Sequence, residues 1–119
     1  MERLQISGDP EVDAFVSVNL VSFPAWDLLL FLNANPDSNL TLAELCATLA
    51  RVDHDLEPAL RECVASGVIE AHSGHDGVIR YTLTPDPSFR SLLERFVTAA
   101  GNREVRLELV RHVMSRLIS

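Results

Sequence analysis

The sequence predicts a mainly helical fold with a small β-hairpin, and three observations carry that prediction. Thr41-Leu42-Ala43-Glu44 sets a hydroxyl at a helix start and a carboxylate three residues on, the capping-box arrangement that satisfies two orphan backbone N–H groups. Gly67 closes a helical run, and Val68-Ile69-Glu70-Ala71-His72 then alternates into Val78-Ile79-Arg80-Tyr81-Thr82-Leu83 across the turn Ser73-Gly74-His75-Asp76-Gly77. Beyond Pro85, the residues Phe89, Leu92, Leu93, Phe96 and Val97 recur at three- and four-residue intervals, the period of a helix.

Taken in order, Asp9-Pro10-Glu11 reads as an N-cap, a proline at the first helical position and an acid in the first turn, so a helix is expected from Pro10 to about Val21. Phe15-Val16-Ser17-Val18-Asn19-Leu20 also alternates as a strand does, and the segment carries both signals. Phe23-Pro24 reads as a break. Ala25 to Asn33 is apolar nearly all round, with Trp26, Leu28, Leu29, Leu30, Phe31 and Leu32, as befits a buried helix. Asn35-Pro36-Asp37-Ser38-Asn39 is a turn cluster. The capping box opens a short helix to about Ala50, and a second runs to Ser66. Because Pro58 fits only a first turn, Asp55 is the preferred N-cap of that second helix over Asp53. Asp86 or Ser88 caps a helix after the hairpin, Gly101-Asn102 breaks it, and a last helix runs from about Asn102 to Ile118. At 119 residues this is one domain: an extension or helix over 1–24, a core over 25–85 and terminal helices over 86–119.

The phrase Leu60-Arg61-Glu62-Cys63-Val64-Ala65-Ser66-Gly67-Val68-Ile69-Glu70 resembles the end of the reading helix and the first wing strand in bacterial winged helix-turn-helix regulators of the MarR, ArsR and PadR kind. The resemblance covers roughly the middle of the chain and is architectural. It implies a winged helix-turn-helix with flanking N- and C-terminal helices, and a transcription-regulator-like role.

Charge conflicts with that role. The chain carries a net charge of −7, and its ten cationic residues are all arginine. Over residues 41–67 five acids face two arginines, a balance of −3, so the helix expected to enter a DNA groove would be repelled by phosphate. Only residues 86–119 are net basic, at +2. An acidic chain is not a generic binder of nucleic acid or anionic membrane. No basic segment precedes an apolar run, and Pro24, Asp27 and Asn33 interrupt the most hydrophobic stretch, so neither a signal peptide nor a membrane span is expected. Two cysteines, Cys46 and Cys63, without a disulfide pattern, suit a reducing compartment, and the expected location is cytoplasmic.

On the second helix of the pair, Leu56, Leu60, Cys63 and Val64 form an inward stripe and leave His54, Asp55, Glu57, Pro58 and Arg61 outward. Base readout would fall to Arg51, His54 or Arg61, yet Glu57 stands four residues before Arg61, the order of a helix ion pair. The wing adds Arg80 and a tip with His72, His75 and Asp76. That tip and the two cysteines lack paired-ligand spacing, and the cysteines lie on inward faces, so no metal or other cofactor is expected. No glycine-rich phosphate loop, nucleophile elbow or two-histidine zinc helix occurs, which predicts a protein that is not an enzyme. Trp26, Phe15 and Phe96 are core aromatics or, alternatively, the lining of a ligand pocket.

The stripe Val105, Leu109, Val113 and Leu117 on the last helix adds apolar surface to a core already well supplied, which predicts a homodimer joined through these residues. Two functions compete: a DNA-binding regulator that grips DNA weakly or atypically, and an interaction module whose acidic face meets a basic protein.

Overall fold

Asp9 starts the first helix, α1 (Pro10–Asn19), by accepting hydrogen bonds from the N–H groups of Glu11 and Val12. The helical signal therefore prevails over the alternating one, because the cap satisfies the first-turn donors and Val12, Phe15, Val16 and Leu20 all reach the core. The computed structural model describes residues 5–118 of the chain. Buried Asp13 accepts from the N–H groups of Ile6 and Ser7 and from the Ser7 hydroxyl, which ties the preceding stretch to α1.

The second helix, α2 (Phe23–Ala34), starts earlier than the Ala25 that the sequence suggests. Ser22 caps it by accepting from the Ala25 N–H at 3.2 Å, and Pro24 sits in the first turn, where a missing N–H leaves no bond unmade. Phe23-Pro24 is thus a helix start and not a break. After the turn cluster comes a strand that the sequence does not announce, β1 (Leu40–Thr41), too short to show alternation. Thr41 also caps α3 (Leu42–Leu49), and both halves of the capping box form: Thr41 Oγ1 accepts from the Glu44 N–H at 3.1 Å and Glu44 Oε1 from the Thr41 N–H at 3.0 Å. These bonds hold the Glu44 carboxyl below its ordinary value.

The fourth helix, α4 (Asp53–Ser66), begins behind Val52, so Asp55 is not its N-cap, and Pro58 lies in the second turn. Pro58 is exposed on the solvent side, where the His54 carbonyl that loses its helical donor can be met by water. Gly67 closes the helix at φ 93°, a left-handed value that a side chain disfavours. The strands β2 (Ile69–Ser73) and β3 (Ile79–Leu83) follow. The predicted hairpin is part of a three-stranded antiparallel sheet of order β1-β3-β2, with Thr41 opposite Arg80 and His72 opposite Arg80 on the other side. Asp86 caps α5 (Pro87–Ala100), accepting from the Ser88 N–H, and Asn102 caps α6 (Arg103–Leu117).

The architecture is therefore mainly helical around a small sheet, with one core. Val12, Phe15 and Val16 of α1 join Leu28 and Leu32 of α2, Leu56 and Leu60 of α4, and Leu93 and Phe96 of α5 in a single cluster. Residues 10–24 are part of that core and not an appendage. Asn19 reinforces the join: its side-chain N–H donates to the Phe15 carbonyl and its Oδ1 accepts from the Ser66 hydroxyl of α4 at 2.6 Å. α4 packs on α1, α2, α3 and β2, whereas α6 packs on α5. No helix among the described residues is long and apolar enough to cross a membrane.

On α6 the structure corrects the expected dimer stripe. Leu109 and Val113 are 1% and 0% exposed, in the protomer's own core with Val105 packed beside them, and of the four predicted residues only Leu117 faces outward. His112 lies on this inner side with Nε2 buried and unpartnered. Burial and the Arg116 charge one turn away hold its imidazole below the ordinary value of about 6.5, against a smaller opposing effect of its hydrogen bond to the Leu20 backbone. The native state thus prefers neutral His112, and the unfolded chain takes up that proton first as pH falls. Stability contributed by this site is fully present above about pH 6.5 and is lost as the pH falls from there through the depressed native value. Urea unfolding followed between neutral and mildly acidic pH is expected to show a shallower decline in midpoint for His112→Gln than for the unmodified chain; parallel declines would contradict this.

Candidate functional site

The residues singled out from the sequence lie on α4, the connection that precedes it and the β2–β3 hairpin. Leu56, Ala59, Leu60 and Cys63 turn inward on α4 and are buried, which leaves His54, Asp55, Pro58, Arg61 and Glu62 exposed and Glu57 partly so. The predicted inward and outward faces of this helix match the structure, with Val64 half-buried.

Each arginine of this face is paired with a carboxylate of its own chain. Arg61 Nη2 meets both oxygens of Glu57, at 2.7 and 2.5 Å, while Nε adds a third bond at 3.2 Å. The pair keeps the Arg61 guanidinium even more firmly protonated than usual, mainly through its hydrogen bonds to Glu57. Arg51 turns to α2, where Nε and Nη2 donate to Asp27 Oδ2 at 2.9 and 2.5 Å. It follows Ala50, whose φ of 54° ends α3 in a left-handed residue and redirects the chain. Arg51 is thus a tie between α2 and the start of α4, not an extended side chain available to a groove. Arg80 Nη2 lies 3.2 Å from Asp76 Oδ2 at the hairpin turn. The Val78 N–H and Arg80 together hold the Asp76 carboxyl below its ordinary value. Gly74 makes the room: a Cβ there would stand 2.9 Å from Asp76 Oδ1 and 3.1 Å from Arg80 Nη1.

The histidines are surface groups. His54 Nε2 is 3.2 Å from Asp55 Oδ1, His72 Nε2 is 3.0 Å from the Thr82 hydroxyl, and His75 is exposed at the turn. Among the described residues no group of three His, Cys, Asp or Glu side chains is placed to hold a metal ion. Both cysteines are buried and unpaired. Burial pushes the Cys63 thiol up to about 12, and Cys46 is raised by burial and then by Asp53, so both are protonated core groups.

Several of the arginines after Pro85 make bonds within the chain. Arg95 donates to Asp9 Oδ2 at 2.5 Å and to Glu11 at 3.2 Å, joining α5 to α1 and lowering the Asp9 carboxyl. Arg90 Nε donates to the Thr84 carbonyl at 2.8 Å, and Arg111 pairs with Glu108 at 2.7 Å. Phe15 and Phe96 are core side chains in contact, with ring centroids 5.9 Å apart. Trp26 lines an open groove of about 510 Å³ between α2 and the α5–α6 junction, with Phe23, Leu30 and Val97.

Comparison of the chain with protein-family models, with curated proteins and with solved structures finds no match. The arrangement is therefore read from its own chemistry. What these elements present is a surplus of carboxylates: Asp53, Asp55, Glu62 and Glu70 are exposed, and Arg51, Arg61 and Arg80 are each paired with an acid of the chain. Asp27, the partner of Arg51, is the residue that sequence reasoning missed. It lies 24 positions away on another helix, with no local spacing to reveal it.

Proposed function

We propose that this chain is a non-enzymatic, regulator-like winged helix-turn-helix protein that works as a homodimer and meets a basic protein segment through the acidic face of α4 and the β2–β3 hairpin. The succession α2, β1, α3, α4, β2, β3 has the order of a winged helix-turn-helix, with α3 and α4 as the helix pair, the hairpin as the wing, and α1, α5 and α6 flanking it. The observation that carries the functional reading is the pairing of Arg51, Arg61 and Arg80 with Asp27, Glu57 and Asp76. A DNA phosphate would have to displace an existing carboxylate partner at each arginine, so few counterions would be released and little affinity gained. Lysines or arginines of a partner protein would instead meet the exposed carboxylates, among them Asp55 beside His54 and Glu70 beside His72, and complementary charge would set their approach and register.

Replacing Asp55 and Glu57 by glutamine separates this reading from DNA binding. The change removes two carboxylates and frees Arg61 while leaving polar side chains in place. Binding to a random duplex, measured by fluorescence anisotropy, is expected to strengthen roughly tenfold, and binding to an arginine-rich peptide to weaken by a similar factor. Tight binding of the unmodified protein to a defined DNA site, abolished by the same two substitutions, would overturn the proposal and mark the carboxylates as readers of cytosine amino groups.

A further inference from the structure

α6 carries apolar side chains over a wide sector of its surface, part of it buried and part exposed. Leu109 and Val113 face the core, while Leu107, Met114 and Leu117 remain 50%, 50% and 57% exposed, with half-buried Val110 between them. The positions 107, 110, 114 and 117 follow the three-four-three spacing of a heptad seam, and 109 and 113 lie on the adjoining, core-facing side of the helix. We infer that this outer seam pairs with the same seam of a second copy of the chain, the two α6 helices running antiparallel about a two-fold axis. The inference rests on the homodimer proposed above and assigns its interface.

The seam is self-complementary in that arrangement. A two-fold axis level with residue 112 sets Leu107 against Leu117 of the second copy and Val110 against Met114, so every apolar position finds an apolar partner and the interface closes on itself. Charge selects the direction. Arg103 and Arg106 lie in the first turn of α6, Arg111 near its middle and Arg116 in its last turn, and no acid follows Glu108 along the helix. In a parallel pair these arginines would line up copy against copy, and the two helix dipoles would repel. In the antiparallel pair Glu108 comes level with Arg116 of the second copy, and the helix dipoles attract instead of repelling. The contact is small beside the ~800 Å² per partner of a standard interface, so half-dimerisation is expected on the order of 10 µM.

Sedimentation of the full chain is expected to show the mass rising from 13.2 kDa towards twice that value between about 1 and 300 µM. Met114→Glu, at an exposed position that leaves the core intact, is expected to keep the thermal unfolding midpoint of the dilute monomer and to abolish the rise. A chain that stays monomeric at about 300 µM would overturn both the homodimer and the seam. A Met114→Glu chain that still dimerises would overturn the seam alone. Orientation is read from cysteine cross-links, since Cys46 and Cys63 are buried. Leu107→Cys chains mixed with Leu117→Cys chains are expected to form a covalent dimer on mild oxidation, and Leu107→Cys chains alone to form none; the reverse pattern would overturn the antiparallel arrangement.

Discussion

Replacing Phe96 by alanine is expected to lower the free energy of unfolding by about 3–5 kcal/mol, the range for removal of a fully buried aromatic ring. Phe96 has no solvent exposure, and its ring lies 5.9 Å from Phe15 of α1 and 6.4 Å from Trp26 of α2, centroid to centroid. Helices α1 and α2, both far in sequence from α5, meet it on this one side chain, so the cavity cannot close by a local shift. Against a typical total of about 5–15 kcal/mol for a domain, the loss would leave a marginal fold. Chemical denaturation read by Trp26 fluorescence checks it, and a loss below about 1 kcal/mol would mean that the ring is not a central packing element.

Leu60→Ala is expected to lose about 2–5 kcal/mol, because Leu60 is 1% exposed on the inner face of α4. The substitution also tests the candidate face, since Leu60 anchors the helix whose opposite side carries Asp55, Glu57 and Arg61. A loss below about 0.5 kcal/mol in the same assay would mean that α4 faces the other way.

Leu60 and Phe96 illustrate what the amino-acid sequence makes legible. Both lie in runs whose apolar residues recur at helical spacing, and such a period reports which residues share a face. The capping box at Thr41 and Glu44, the proline start at Pro10 and the glycine stop at Gly67 are likewise local: each acts within one helical turn. What stays illegible depends on contacts across the chain. The strand β1 is two residues long and exists because Leu40 and Thr41 meet Tyr81 and Arg80. Ser22 turns Phe23-Pro24 from a break into a helix start, which becomes visible only once its hydroxyl is seen to accept from Ala25. On α6 the period reveals a broad apolar stripe but not which part of it the protomer keeps for itself, so Leu109 and Val113 read as interface residues although they are core.

The candidate face shows the same division. The Glu57–Arg61 pair follows from a four-residue spacing, whereas the capture of Arg51 by Asp27 depends on α2 and the start of α4 being neighbours. Without that capture Arg51 would stand as a phosphate ligand, and net charge alone would weigh against DNA.

The proposal that the three arginines are spent within the chain is tested most directly by titrating the unmodified protein, at about 0.15 M salt, with a random-sequence DNA duplex and with an arginine-rich peptide. Saturable peptide binding that weakens as salt is raised, with no saturable duplex binding, is the expected result. Tight duplex binding with a steep salt dependence, and no binding of the peptide, would contradict it.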